Sequence, residues 1–115
     1  MAQIKRKIVG DFETVKKQID DGLRTGSMTI TTEEEFSGDL GGRKYWVVSY
    51  ERYAASSKSR VSMNITMLEG DDTNLIMGTS TGGSQAVLFK MNKFPEVLFL
   101  QTLERVLDDI ERRSR

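Results

Sequence analysis

Val61-Ser62-Met63-Asn64-Ile65-Thr66-Met67 alternates apolar and polar side chains without a break. A period of two places Val61, Met63, Ile65 and Met67 on one face of a β-strand and Ser62, Asn64 and Thr66 on the other. One face then meets a core and the other meets water, the habit of an antiparallel sheet rather than of a parallel sheet covered on both sides. The neighbouring segments repeat the signal. Tyr45-Trp46-Val47-Val48-Ser49-Tyr50 is a β-rich run, separated from it by the polar break Ala55-Ser56-Ser57-Lys58-Ser59. Strand candidates at 74–80 and 85–92 follow, with Gly70-Asp71-Asp72 and Gly82-Gly83 as turns. Upstream, from Ser27, Met28, Ile30 and Phe36 fall on one side and Thr29, Thr31, Glu33 and Glu35 on the other, ahead of a flexible turn over Ser37–Gly42. Consecutive strands joined by short turns read as an antiparallel meander.

Helices flank this run. Residues 2–9 are compatible with an opening strand through Ile4, Ile8 and Val9. Asp11 then suits an N-cap, because its carboxylate accepts from backbone N–H groups left free in a first helical turn. Phe12, Val15, Ile19 and Leu23 recur at helical spacing, and Gly26 is a natural stop. Pro95 fits the first turn of a second helix, since its missing N–H is not needed there. Leu100, Leu103, Leu107 and Ile110 form its apolar stripe, broadened by Val97, Phe99 and Val106. Glu96 near its start and Arg112, Arg113 and Arg115 at its end complement the helix dipole. The order β-α-β-β-β-β-β-α predicts an α+β fold in one domain over residues 1–115. An antiparallel meander carries an N-terminal helix and a long C-terminal helix on one face, in a helix-grip-like outline.

The composition removes whole classes of chemistry. The chain has no histidine and no cysteine. It therefore lacks the side chain best suited to proton transfer near neutral pH, the strongest thiolate nucleophile, and the usual zinc, iron–sulfur and haem ligands. No cofactor or metal site is expected, and no spacing of Ser, Thr, Asp, Glu, Lys, Tyr or Arg assembles a catalytic set. The reading leans away from an enzyme. Seventeen basic residues balance seventeen acidic ones, so no net field draws nucleic acid or an anionic membrane. Lys5-Arg6-Lys7 and Arg43-Lys44 stand near aromatic residues, but an RNP-like motif is absent and Glu33-Glu34-Glu35 opposes them. Nucleic acid ranks below self-association and small-ligand binding. No apolar run approaches the ~20 residues that span a bilayer. The basic N-terminus is not followed by an apolar segment, so the cytoplasm is the expected compartment.

Four features compete for a functional role. Trp46, Val48 and Tyr50 share one strand face, yet Tyr45, Val47 and Tyr53 make the other face apolar as well, and 85–92 repeats this through Leu88. Helices on one side leave the second face open, so Tyr45, Val47, Tyr53 and Leu88 are candidate interface residues of a homodimer; cover by loops is the alternative. Met28, Met63, Met67, Met77 and Met91 either fill the core or line a pocket for a small apolar ligand beneath the C-terminal helix. Thr79–Gln85 offers an anion-cradling nest through Thr81, Ser84 and Gln85, or else a Gly-Gly hairpin turn; it lacks the lysine and following helix of a P-loop. Arg52 with Arg60 is the first choice for a small anionic ligand. Glu51 and Arg52 point to opposite faces, so they cannot form one acid–base pair, and a cross-strand ion pair is the plainer role.

The strings Gly10-Asp11-Phe12, Tyr50-Glu51-Arg52-Tyr53, Arg60–Thr66 and Thr81–Lys90 resemble a family of small bacterial proteins of unknown function. The resemblance runs from the first strand to the start of the last helix and is strongest over Gly82–Lys90. It implies a self-contained bacterial domain and transfers no catalytic or binding residue.

Overall fold

The alternation around Met63 becomes the middle of the molecule. A computed structural model describes residues 2–26, 29–54, 59–82 and 95–113. These form β1 (Ala2–Val9), α1 (Phe12–Gly26), β2 (Thr31–Leu40), β3 (Arg43–Ala54), β4 (Ser59–Glu69), β5 (Thr73–Gly82) and α2 (Pro95–Arg113). The five strands make one antiparallel sheet in the order β1-β5-β4-β3-β2. β2 to β5 are the expected meander, and β1 joins its far margin by pairing with β5. β4 is the central strand, which is why its pattern is the cleanest. The candidate strand at 85–92, together with Met28 and Met91, lies outside the described residues.

Both helices cover the same face. Asp11 caps α1 by accepting from the Thr14 amide and hydroxyl at 3.0 Å each. The Thr14 hydrogen bonds hold its carboxyl below the ordinary aspartate range. Phe12, Val15, Ile19 and Leu23 are buried, as their spacing requires. α2 lies against α1 and across β1, β5 and β4. Two glycines set how closely these layers approach. A Cβ on Gly22 would stand 2.8 Å from Val106 at the helix crossing, and one on Gly78 would stand 2.8 Å from Leu103 where α2 meets β5. The resulting core holds Trp46, Tyr50, Met63, Ile65, Met67, Phe99 and Leu103 with no exposed surface.

Two details of β2 depart from the sequence reading. The turn is shorter than Ser37–Gly42. Leu40 pairs with Arg43, leaving a two-residue loop of Gly41 and Gly42, both with positive φ (61° and 85°). That is the geometry of a hairpin turn whose twist matches the flanking strands. The second departure is the side of Phe36. Sequence phase groups it with Ile30, which packs against the core. The β2–β3 register shifts between Thr32 and Glu34, so one extra residue inverts the alternation. Phe36 therefore pairs with Val47 and faces outward, 60% exposed.

Candidate functional site

Residues paired across antiparallel strands share a face, so the register defines a surface. Across the side away from the helices, one row runs Lys5, Met77, Thr66, Val47, Phe36, and the next runs Lys7, Leu75, Leu68, Tyr45, Gly38. Every residue of β3, β4 and β5 that is buried belongs to the opposite face, and among the described residues no element covers this one. Its centre is an apolar patch of Met77, Val47, Phe36, Leu75, Leu68 and Tyr45. Tyr45 lies over Gly38, where a Cβ would stand 2.6 Å from its hydroxyl. Leu68 is 41% exposed near the end of the central strand. A third row of Gln3, Thr79, Asn64, Ser49 and Glu34 is polar, and Ser49 donates to Asn64 within it. Lys5 and Lys7 stand on the β1 margin and Glu34 on the β2 margin, none of them in an ion pair among the described residues.

Tyr45 and Val47 thus sit on this face, half-buried, and Tyr53 is exposed farther along the same strand. Leu88 lies outside the described residues. Phe36, Leu68, Leu75 and Met77 belong to the patch but were not singled out for it by sequence. For Phe36 the hidden step was the bulge; for the others it was the lateral order of the strands, which no local pattern encodes.

The two arginines expected to cooperate do not meet. Arg60 pairs with Tyr53 on the open face and donates to Glu51 at 3.2 Å, giving the cross-strand ion pair. Arg52 points to the helix side, with its guanidinium 4.4 Å from the Phe99 ring centre and a hydrogen bond of 3.3 Å to the Thr102 hydroxyl. Thr81 pairs with Ser62, so residues up to Gly82 continue β5 as strand rather than opening a loop. Ser84 and Gln85 lie outside the described residues.

Polar groups on the helix side tie elements together. The Tyr50 hydroxyl donates to Asp20 at 2.7 Å, and Arg24 Nε donates to the other oxygen of that carboxylate at 3.0 Å. Burial and the Asp20 carboxylate push the Tyr50 hydroxyl far above the normal tyrosine range, so it stays protonated. Burial opposes ionisation of Asp20, but the hydrogen bonds from Arg24 and Tyr50 outweigh it and hold the carboxyl below the usual value. Trp46 Nε1 donates to Glu35 at 2.7 Å, beneath the Lys16 ammonium 5.7 Å from the indole. These groups satisfy one another. No group of three acidic side chains among the described residues is placed to hold a metal ion.

The open spaces lie outside the core. A groove of about 430 Å³ separates α1 from α2, lined in part by Gly22, Thr102, Arg105 and Val106. A smaller one of about 300 Å³ lies beside Lys16, Glu35 and Trp46. Neither is lined by methionine, whereas an open space of about 450 Å³ where β1 meets β5 has Met77 in its wall. Met63 and Met67 are fully buried in the core, and Met77 is on the open face.

No helix among the described residues is long and apolar enough to cross a membrane. A family model described as a family of unknown function, DUF6054, matches residues 1–111. The chain belongs to that family. No curated protein matches it.

Proposed function

We propose that this member of DUF6054 is a non-catalytic interaction module that acts as a homodimer, joined through the open face of its sheet. The observation that carries the reading is the apolar patch at the centre of that face, running from Met77 to Phe36. Exposed apolar surface of this kind marks an interface.

Charge supports a second copy as the occupant. The outermost uncompensated charges differ in sign, Lys5 and Lys7 on one margin and Glu34 on the other. A two-fold axis along β4 turns the partner sheet so that its β2 margin lies over this β1 margin. Lys5 then lies one row along the strands from the partner's Glu34 on both sides, Met77 packs over the partner's Val47, and Leu75 packs over the partner's Tyr45. Aligned sheet packing of this sort is a standard solution for two apolar faces. Joining sheets edge to edge by symmetry is disfavoured. It would set Lys5-Arg6-Lys7 of β1, or Glu33-Glu34-Glu35 of β2, against its own copy. A net charge of zero supports a protein partner over nucleic acid. The absence of cysteine is permissive of either redox compartment, and the bacterial cytoplasm is the setting we propose.

Sedimentation velocity tests this. The wild type is expected to sediment as a dimer at micromolar concentration, and Val47→Lys as a folded monomer. A monomeric wild type, or a folded Val47→Lys chain that remains dimeric, would overturn the reading. The orientation is tested separately. Lys5→Glu/Lys7→Glu and Glu34→Lys chains should each dimerise weakly alone and pair when mixed.

A further inference from the structure

Most arginines here have a carboxylate partner: Arg6 with Asp108 and Glu111, Arg24 with Asp20, Arg43 with Asp71, Arg60 with Glu51, and Arg112 with Asp109. Arg52, Arg105 and Arg113 have none among the described residues. Arg52 is the anomaly, because its guanidinium is half-buried. It lies on Phe99 and donates to Thr102, whose own hydroxyl proton goes to the Leu98 carbonyl. The ring and the hydroxyl therefore fix the plane of the guanidinium without neutralising it. Its remaining N–H groups reach solvent, since no buried side-chain nitrogen lacks a partner.

A second cation is built beside it. Arg105 follows Thr102 by three residues on α2, so the two project on the same side of the helix, and both line the groove between the helices. Burial and the nearby Arg105 charge both press the Arg52 pKa downward. The acids that line this groove are engaged elsewhere, Asp21 by Lys17 and Asp109 by Arg112.

We propose that Arg105, in the groove between α1 and α2, and Arg52, held against the groove-lining Thr102, bind a phosphate-type dianion carried by a small phosphorylated molecule. Two positive charges, one of them held in place by Phe99 and Thr102, match a doubly charged oxyanion, and planar guanidinium groups present paired donors to its oxygens. Thr102 and Phe99 act as positioning residues for Arg52. The groove has room for more than the anion, which suits a phosphoester over a free ion. This site lies on the helix side and does not depend on the proposed dimer.

The test is an NMR titration of the full chain with inorganic phosphate at constant ionic strength, against chloride. Saturable shifts of the Arg52, Thr102 and Arg105 amides are expected. Arg105→Gln, at an exposed position, should weaken binding by at least about tenfold while leaving fold and mass unchanged. Arg52→Lys keeps the charge and loses the fork, and should weaken it comparably. A small phosphomonoester should bind more tightly than inorganic phosphate. No saturable shift in the wild type, or an Arg105→Gln chain that binds phosphate as well as the wild type, would overturn the proposal. Phosphate bound no better than chloride would mean an adventitious ion only, and would overturn it equally.

Discussion

The two faces of the sheet are made by the same strands, residue by residue, and differ in almost everything else. On the helix side of β4, Val61, Met63, Ile65 and Met67 are sealed under α1 and α2. On the open side Ser62, Asn64, Thr66 and Leu68 alternate with them and stay at the surface. The helix side satisfies its polar groups internally, as Tyr50 does with Asp20 and Trp46 with Glu35. The open side keeps an apolar centre between margins of opposite charge. With the proposed dimer, stability and association fall to different faces of one element. A substitution should reveal its face by whether it lowers the unfolding free energy or the dimer mass.

Neighbouring residues on β4 give the largest contrast. Ile65→Ala should cost about 2–5 kcal/mol, because a fully buried side chain leaves a cavity. Thr66→Ala, one residue along, should cost within about 1 kcal/mol. Urea denaturation in the Val47→Lys background keeps association out of the comparison. A Thr66→Ala cost equal to that of Ile65→Ala would mean that the open face is covered within the chain.

Glycines sharpen the same contrast at smaller scale. Gly78→Ala forces a methyl between β5 and α2, against Leu103 and Ile4, and should cost about 1–3 kcal/mol. Gly38→Ala meets the Tyr45 ring, whose hydroxyl end can swing toward solvent, so its cost should stay below about 1 kcal/mol. Thermal unfolding of both variants would rank them, and a reversed order would break the assignment of layers.

Tyr50→Phe comes next, at about 1–2 kcal/mol, since it removes a hydrogen bond to a carboxylate. It also carries a pH signature. The folded-state pKa of Asp20 lies below its unfolded value. Its stabilisation is therefore complete above the unfolded aspartate pKa of about 3.9 and is lost as pH falls through the lower folded value. In Tyr50→Phe that acid-side loss should be smaller. Denaturation midpoints measured between pH 2 and 6 would check it, and an unchanged slope would exclude the coupling. Arg60→Ala should have the smallest effect, within about 0.5 kcal/mol, because its pair with Glu51 is largely exposed.

The covered face was legible in the sequence because it obeys local periods. The Phe12-Val15-Ile19-Leu23 stripe, the β4 alternation and the Asp11 cap each depend on residues a few positions apart. The open face depends on what local pattern does not carry. Phe36 needed the bulge after Thr32, where one added residue moves it from the core side to the outside. Leu75 and Met77 needed the register of β5 on β4, which sets them beside Leu68 and Thr66. Tyr45 and Val47 were readable because their own strand is apolar on both sides. Arg52 and Arg60 looked close in the chain, but a strand period of two and a hairpin register send them to opposite faces.

The central claim is that the open face of the sheet is covered by a second copy. The chain has no cysteine, so Thr66→Cys installs a single thiol at the middle of that face. Its rate of labelling by a bulky maleimide should be slow at high protein concentration and rise on dilution. Fast labelling of Thr66→Cys that is independent of concentration would contradict the claim.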